Sequence, residues 1–245
     1  MELSVSAAQE GLIAAMSIPS GGTPADRQLV GIELYHGLTG CDPADADVRD
    51  NDKFDRHVFA SVLCAAVMDG GPLPERTGLT ADELNELLAQ CFPPAPVQAI
   101  ISMENSGSAS DEEIMLRDLL LGERSVKGEI SRWLAAMVAR RAMEPNHLWE
   151  DLGLRERAEL TRLLMLHFAP LAAQNTKNMR WKRFFYRRLC ENEGLVMCTT
   201  PVCTQCCDFN HCFGEESGES RMAERRREHL RGIESRAGAA GNPQV

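Results

Sequence analysis

Five cysteines crowd the stretch CTTPVCTQCCDFNHC, residues 198–212. Thiols at that density do one of two things: they form disulfides or they hold metal. The chain has nine cysteines, an odd count in what reads as a cytosolic protein, where reducing conditions disfavour a disulfide framework. Metal is the expectation. Cys198, Cys203, Cys206 and Cys212 read as Cys-x4-Cys-x2-Cys-x5-Cys, with Cys207 and Cys190 outside that spacing. Structural zinc usually takes two close pairs separated by a longer insert. Here the thiols are spread through one short loop, and the first three share the Cys-x4-Cys-x2-Cys spacing of plant-type ferredoxins. Iron-sulfur therefore leads zinc. Pro201 restricts Thr200 to extended backbone, and a thioredoxin-like role for Cys203 and Cys206 lacks the strand-helix unit it needs.

Just upstream, KNMRWKRFFYRRLCE carries six basic residues between 177 and 188 and no acid. Trp181, Phe184, Phe185 and Leu189 recur at helical spacing, so one aromatic face can pack while Lys177, Arg180, Arg183 and Arg187 lie mostly on others. That basic stripe is either a solvated helix face or a device to attract something anionic.

Other chemistries drop out. DADVRDNDKFD offers five aspartates but puts Arg49, Asp50 and Arg56 where a calcium loop needs a ligand, a glycine and a bidentate glutamate. It reads as a polar loop whose Asn51 or Asp52 caps the next helix. Phosphate-binding glycine loops, nucleotide fingerprints and nucleophile elbows are missing, so the reading is not an enzyme. The histidines, at 36, 57, 147, 167, 211 and 229, lack metalloprotease spacing.

The elements that must position these groups are helices. TADELNELLAQC opens with a capping box, Thr80 to Glu83, and SDEEIMLRDLLLG repeats it with Ser110 and Glu113. Ile130, Trp133, Leu134, Met137 and Val138 form an apolar stripe, with Arg140 and Arg141 placed to complement a helix dipole. Leu160, Leu163, Leu164 and Phe168 form another before Pro170, and residues 54–68 read as a helix closed by Gly70 and Gly71. The expected fold class is all-α: a single helical domain over 28–195 and an irregular cysteine-rich metal-binding loop over 196–214. Residues 1–27 read as a flexible segment, and 215–245 as a charged tail, disordered or a solvated helix.

At 245 residues the chain can bury a real core without metal. A net charge of −10 argues against general nucleic-acid binding. The amino terminus bears an acid where a secretory signal is basic, and no apolar run approaches a membrane span, so the expected location is cytoplasmic.

Taken together, HLWEDLGLRERAELTRLL, NMRWKRFFYRRLCENEG, the cysteine loop with its following Phe-Gly, and the earlier FDRHVFASVL resemble the NifQ family of nitrogen-fixation proteins over about residues 30 to 214. The resemblance implies a molybdenum carrier for assembly of the iron-molybdenum cofactor of nitrogenase. It implies an iron-sulfur cluster, of cuboidal three-iron or molybdenum-iron-sulfur type, with the ligand motif falling on Cys198, Cys203, Cys206 and Cys212. Implied partners are the cofactor-assembly scaffold, the nitrogenase iron protein, and molybdate or a molybdenum-sulfur species. Cys207 is additional to the motif. His57 and His147 stand in family-like segments as candidates to reach the cluster or support it. Three irons need one protein thiolate each, so four cysteines leave one for incoming metal or for exchange during transfer. Two other readings stand beside this one: a zinc-stabilised helical interaction module, and an iron-sulfur redox sensor.

Overall fold

The structure, a computed structural model, describes residues 24–93 and 108–192, with side chains from residue 30 onward. The cysteine loop at 196–214 and the tail at 215–245 lie outside the described residues, as does nearly all of the segment 1–27. Among the described residues the secondary structure is helical, without strands. None of their helices is long and apolar enough to cross a membrane.

The second helix, α2 (Asn51–Asp69), is the axis of the fold. It follows α1 (Pro24–Thr39) and a single 3-10 turn at Pro43–Asp45. Every residue of α2 from His57 to Met68 is buried, and a helix buried on all sides must sit inside the others. Its amino end is capped by Asp50, whose carboxylate accepts from the Asp52 and Lys53 amides at 2.9 and 3.2 Å. The cap thus falls at Asp50, ahead of the expected Asn51 or Asp52. Gly70 closes the other end at φ 76°.

Two glycines let neighbours press onto α2. A Cβ on Gly31 of α1 would stand 2.5 Å from Cγ of Met68, and one on Gly153 would stand 2.5 Å from the carbonyl oxygen of Ser61. Gly153 also sits at φ 71°, a conformation that favours glycine.

After α3 (Leu73–Thr77) comes α4 (Ala81–Cys91), opened by the expected reciprocal cap. The Thr80 hydroxyl accepts from the Glu83 amide at 3.2 Å, and the Glu83 carboxylate accepts from the Thr80 amide at 2.8 Å. In α5 (Asp111–Gly122) only half of the expected device forms: Ser110 accepts from the Glu113 amide, while Glu113 is itself buried.

The third apolar stripe lies on α6 (Glu129–Ala142), with Trp133, Leu134, Met137 and Val138 buried and Ile130 packed at the margin. At its end Arg141 is not a surface complement to the dipole. It is fully buried, donating to Asp69 Oδ2 at 2.6 Å and to the Asp151 carbonyl at 2.7 Å. Asp151 ends α7 (Leu148–Asp151), and its side chain takes the Lys182 ammonium at 2.6 Å. This buried charge network joins α2, α6 and α7 to the last helix among the described residues.

Next, α8 (Arg157–His167) buries Leu160, Leu163 and Leu164. The chain breaks helical geometry at Phe168 and starts a further turn, α9 (Ala169–Ala172), with Pro170 in its first turn, where a missing amide costs nothing. The last helix among the described residues, α10 (Trp181–Asn192), buries Trp181, Phe184, Phe185 and Leu189 as the spacing predicts. Their rings meet at centroid distances of 5.8 to 6.1 Å.

Candidate functional site

Cys198, Cys203, Cys206, Cys207 and Cys212 all lie outside the described residues. Two of the remaining cysteines do not resemble ligands. Cys64 and Cys91 are buried in the core, where desolvation raises both thiols, Cys91 to about 11. Such thiols are inert at neutral pH. Cys41 and Cys190 are half-buried. Among the described residues no group of three or more His, Cys, Asp or Glu side chains is placed to hold a metal ion.

The basic stripe divides on folding. Lys182 turns inward to Asp151, and burial outweighs that pairing in lowering its pKa. Arg187 and Arg188 share Glu191, at 2.8 and 2.6 Å. Lys177, Arg187 and Arg188 border a groove of about 150 Å³ with Met179 and Phe184 at its base. Arg180 stands just before α10, where its carbonyl accepts from the Phe184 amide. Arg183 is half-buried on that helix.

His57 and His147 play different parts. His147 caps α7: its amide donates to the Glu150 carboxylate at 2.9 Å. His57 is buried on α2 and held from both sides. Its Nε2 lies 3.2 Å from Glu159 Oε2 and its Nδ1 lies 2.5 Å from the Tyr35 hydroxyl. Burial would raise Glu159, but hydrogen bonding and charge from His57, then Arg155, hold its carboxyl below the usual range. An ionised carboxylate only accepts, so the proton sits on Nε2, and Tyr35 donates to Nδ1 when the ring is neutral. Burial, with the Cys41 and Cys64 sulfurs nearby, drives the Tyr35 phenol well above its ordinary value.

Tyr35 and His57 form the floor of a cavity of about 270 Å³, with Thr39, Cys41, Asp47, Lys53, Arg56 and Phe92 among its walls. A larger cavity, about 640 Å³, lies between α3, α4, α5 and α6 and holds Glu113, Arg117 and Arg140. Burial raises the Glu113 carboxyl. Thr80, Glu83, Ser110, Glu113 and Arg140 of the larger cavity are readable along the chain as capping and helix-end residues, but not as neighbours around one cavity. The i,i+4 pair Arg155–Glu159, at 2.5 Å, is local enough to be read; its partner on α2 is not.

Comparison with known proteins bears on both the helices and the cysteines. Over 173 residues the chain is 46% identical to the protein NifQ homolog of Sinorhizobium fredii (strain NBRC 101917 / NGR234), covering 68% of this chain and 75% of that one. It is 39% identical over 154 residues to protein NifQ of Rhodobacter capsulatus, covering 62% and 83%. It is 41% identical over 143 residues to protein NifQ of Azotobacter vinelandii, covering 58% and 70%. No solved structure matches. The NifQ family matches residues 58–214, a span that takes in the buried part of the axis helix from Val58 onward and the whole Cys-x4-Cys-x2-Cys-x5-Cys run, and the chain belongs to that family.

Proposed function

We propose that this chain is a non-enzymatic molybdenum carrier that serves nitrogenase cofactor assembly, with Cys198, Cys203, Cys206 and Cys212 as the ligands of a resident iron-sulfur cluster. The observation that carries the reading is the family match over 58–214, which joins the helical body to the cysteine loop as one unit.

The donor set fits the group. Four closely spaced thiols are soft ligands of the kind that hold iron-sulfur clusters, whereas Cys64 and Cys91 are withdrawn into the core. When bound, a cage with an open vertex supplies sulfide donors to molybdenum, the cargo. The protein's own part is to present thiolates, with one beyond the three that three irons require, so that cargo is held without being fully enclosed. Cys207 is an adjacent thiol available for exchange.

Lys177, Arg180, Arg183 and Arg187 lie on the helix and lead-in that precede the loop. Their charge suits an anionic cargo or an acidic partner face, with the cofactor-assembly scaffold and the nitrogenase iron protein as the partners. The cytoplasm is the compartment in which reduced thiols and these partners meet.

Protein purified without oxygen and analysed for iron, acid-labile sulfide and molybdenum tests the reading. Brown protein with iron and sulfide in near-equal amounts, gaining molybdenum on incubation with molybdate, supports it. Colourless protein with one zinc per chain, or full iron in a chain with all four cysteines changed to serine, overturns it.

A further inference from the structure

The cavity above His57 has features that the cysteine loop does not explain. Lys53, Arg56 and His57 stand at i, i+3 and i+4 on α2, so the first two turns of one helix turn three basic side chains toward a single volume. Opposite them stand Tyr35, Thr39 and Cys41 at the end of α1 and just beyond. The amino end of α2 is already capped by Asp50, so the positive charge at the cavity comes from the side chains.

The one carboxylate in the wall is already engaged. Asp47 accepts from Lys53 at 3.0 Å and from Arg49 at 3.0 Å, and those contacts hold its carboxyl far below the usual range. Glu159, behind the floor, is engaged by His57 and Arg155. Among the described residues Arg56 is exposed and no carboxylate pairs with it.

A cation finds little here. Both His57 nitrogens are committed, Asp47 is clasped, and Cys41 is a single thiol whose Sγ lies 3.6 Å from Thr39 Oγ1. An apolar ligand would strand the Arg56 guanidinium at the rim. The volume of about 270 Å³ exceeds several times the roughly 30 Å³ that one water occupies, so a tetrahedral oxyanion fits with part of its hydration.

We propose that this cavity, built from residues other than those of the cysteine loop, is a second site that binds a tetrahedral dianion through Lys53 and Arg56 over the Tyr35–His57 floor, and that its occupant is molybdate before the metal reaches sulfur. The naming of molybdate rests on the carrier function proposed above; the oxyanion site rests on the cavity alone. Charge-assisted contacts from Arg56 and Lys53 dominate the binding, and Glu159 fixes the ring that forms the floor.

The test is equilibrium dialysis of the full chain against molybdate, prepared without oxygen, with bound molybdenum, iron and sulfide measured per chain. The double variant K53Q/R56Q is expected to bind molybdate about tenfold or more weakly, as the loss of charge-assisted contacts would give. Its iron and sulfide content and its thermal midpoint should stay near those of the parent. Because losing the Asp47 pair can loosen the nearby loop, R56Q alone is expected to weaken binding and R56K to restore most of it. The chain with Cys198, Cys203, Cys206 and Cys212 changed to serine is expected to lose iron yet still bind molybdate in a Lys53- and Arg56-dependent way.

Equal affinity in parent and K53Q/R56Q overturns the site. So does loss of all molybdate binding in the four-serine chain, a result that leaves the cluster proposal standing. Absence of iron from the parent with Arg56-dependent binding intact overturns the cluster proposal and supports the cavity. Sulfate displacing molybdate at equal concentration overturns the assignment of molybdate as the occupant.

Discussion

Nε2 of His57 on α2 meets Oε2 of Glu159 on α8 at 3.2 Å, across 102 residues of sequence, with both side chains almost wholly buried. The contact joins the axis of the fold to the helix that leads toward the basic stripe, and it sets which ring nitrogen faces Tyr35.

Removing the Glu159 charge should therefore be costly. A buried hydrogen bond to a charged group typically contributes about 1.5–3 kcal/mol, and E159Q is expected near the low end because the amide can still accept from His57. The sign with pH follows from the depressed carboxyl. Its stabilising contribution is complete above the unfolded value of about 4.3 and is lost as pH falls through the lower folded value. Urea denaturation between pH 3 and 7 checks this: the acid limb of the parent's stability curve should be steeper than that of E159Q.

Arg141 offers a second test, since its guanidinium spans Asp69 and the Asp151 carbonyl from a fully buried position. R141M leaves Asp69 without that donor and the Asp151 carbonyl without its guanidinium. A loss of about 3 kcal/mol or more is expected, read as a fall in denaturant midpoint. R141K should recover less than half of it, because an ammonium cannot reproduce the planar fork.

Two glycines with nearly the same φ separate backbone strain from crowding. Gly40 at φ 75° has nothing within 4 Å of a built Cβ, whereas Gly153 at φ 71° has the Ser61 carbonyl oxygen at 2.5 Å. G40A is expected to cost about 1 kcal/mol from conformation alone. G153A should exceed that by about 1–3 kcal/mol because the corner after α7 must move off α2. Thermal melts of the two variants give the difference.

Metal removal should leave the helical body standing. Among the described residues the core from Leu34 to Leu189 forms one continuous apolar cluster, a core of a size that small zinc domains, whose folding energy is metal binding, lack. The four-serine chain is expected to keep its far-ultraviolet helical signal and a cooperative melt; collapse of either would show that the loop is part of the fold.

What could be read along the chain was whatever neighbours within a helical turn decide. The Thr80–Glu83 cap, the stripes on α6 and α8 and the aromatic face of α10 depend on contacts three or four residues apart, and each formed. The reciprocal cap at Ser110 did not form: Glu113 is buried toward Arg140 of another helix as well as Arg117 of its own, where their charges compete with the local amide. Among five aspartates, which one caps α2 is settled by where the loop enters the helix, which no spacing reveals.

The type and spacing of Cys198, Cys203, Cys206 and Cys212, the helical class and the family likeness were properties of the sequence by itself, because they are covalent order and short-range preference. The tertiary structure alone decided that Lys182 and Arg141 are internal, that His57 is clamped by Tyr35 and Glu159, and that Lys53 and Arg56 share a cavity with Cys41. Those relationships join helices distant along the chain, and burial favours them because an enclosed charge is costly without a partner, which must come from whichever helix packs beside it.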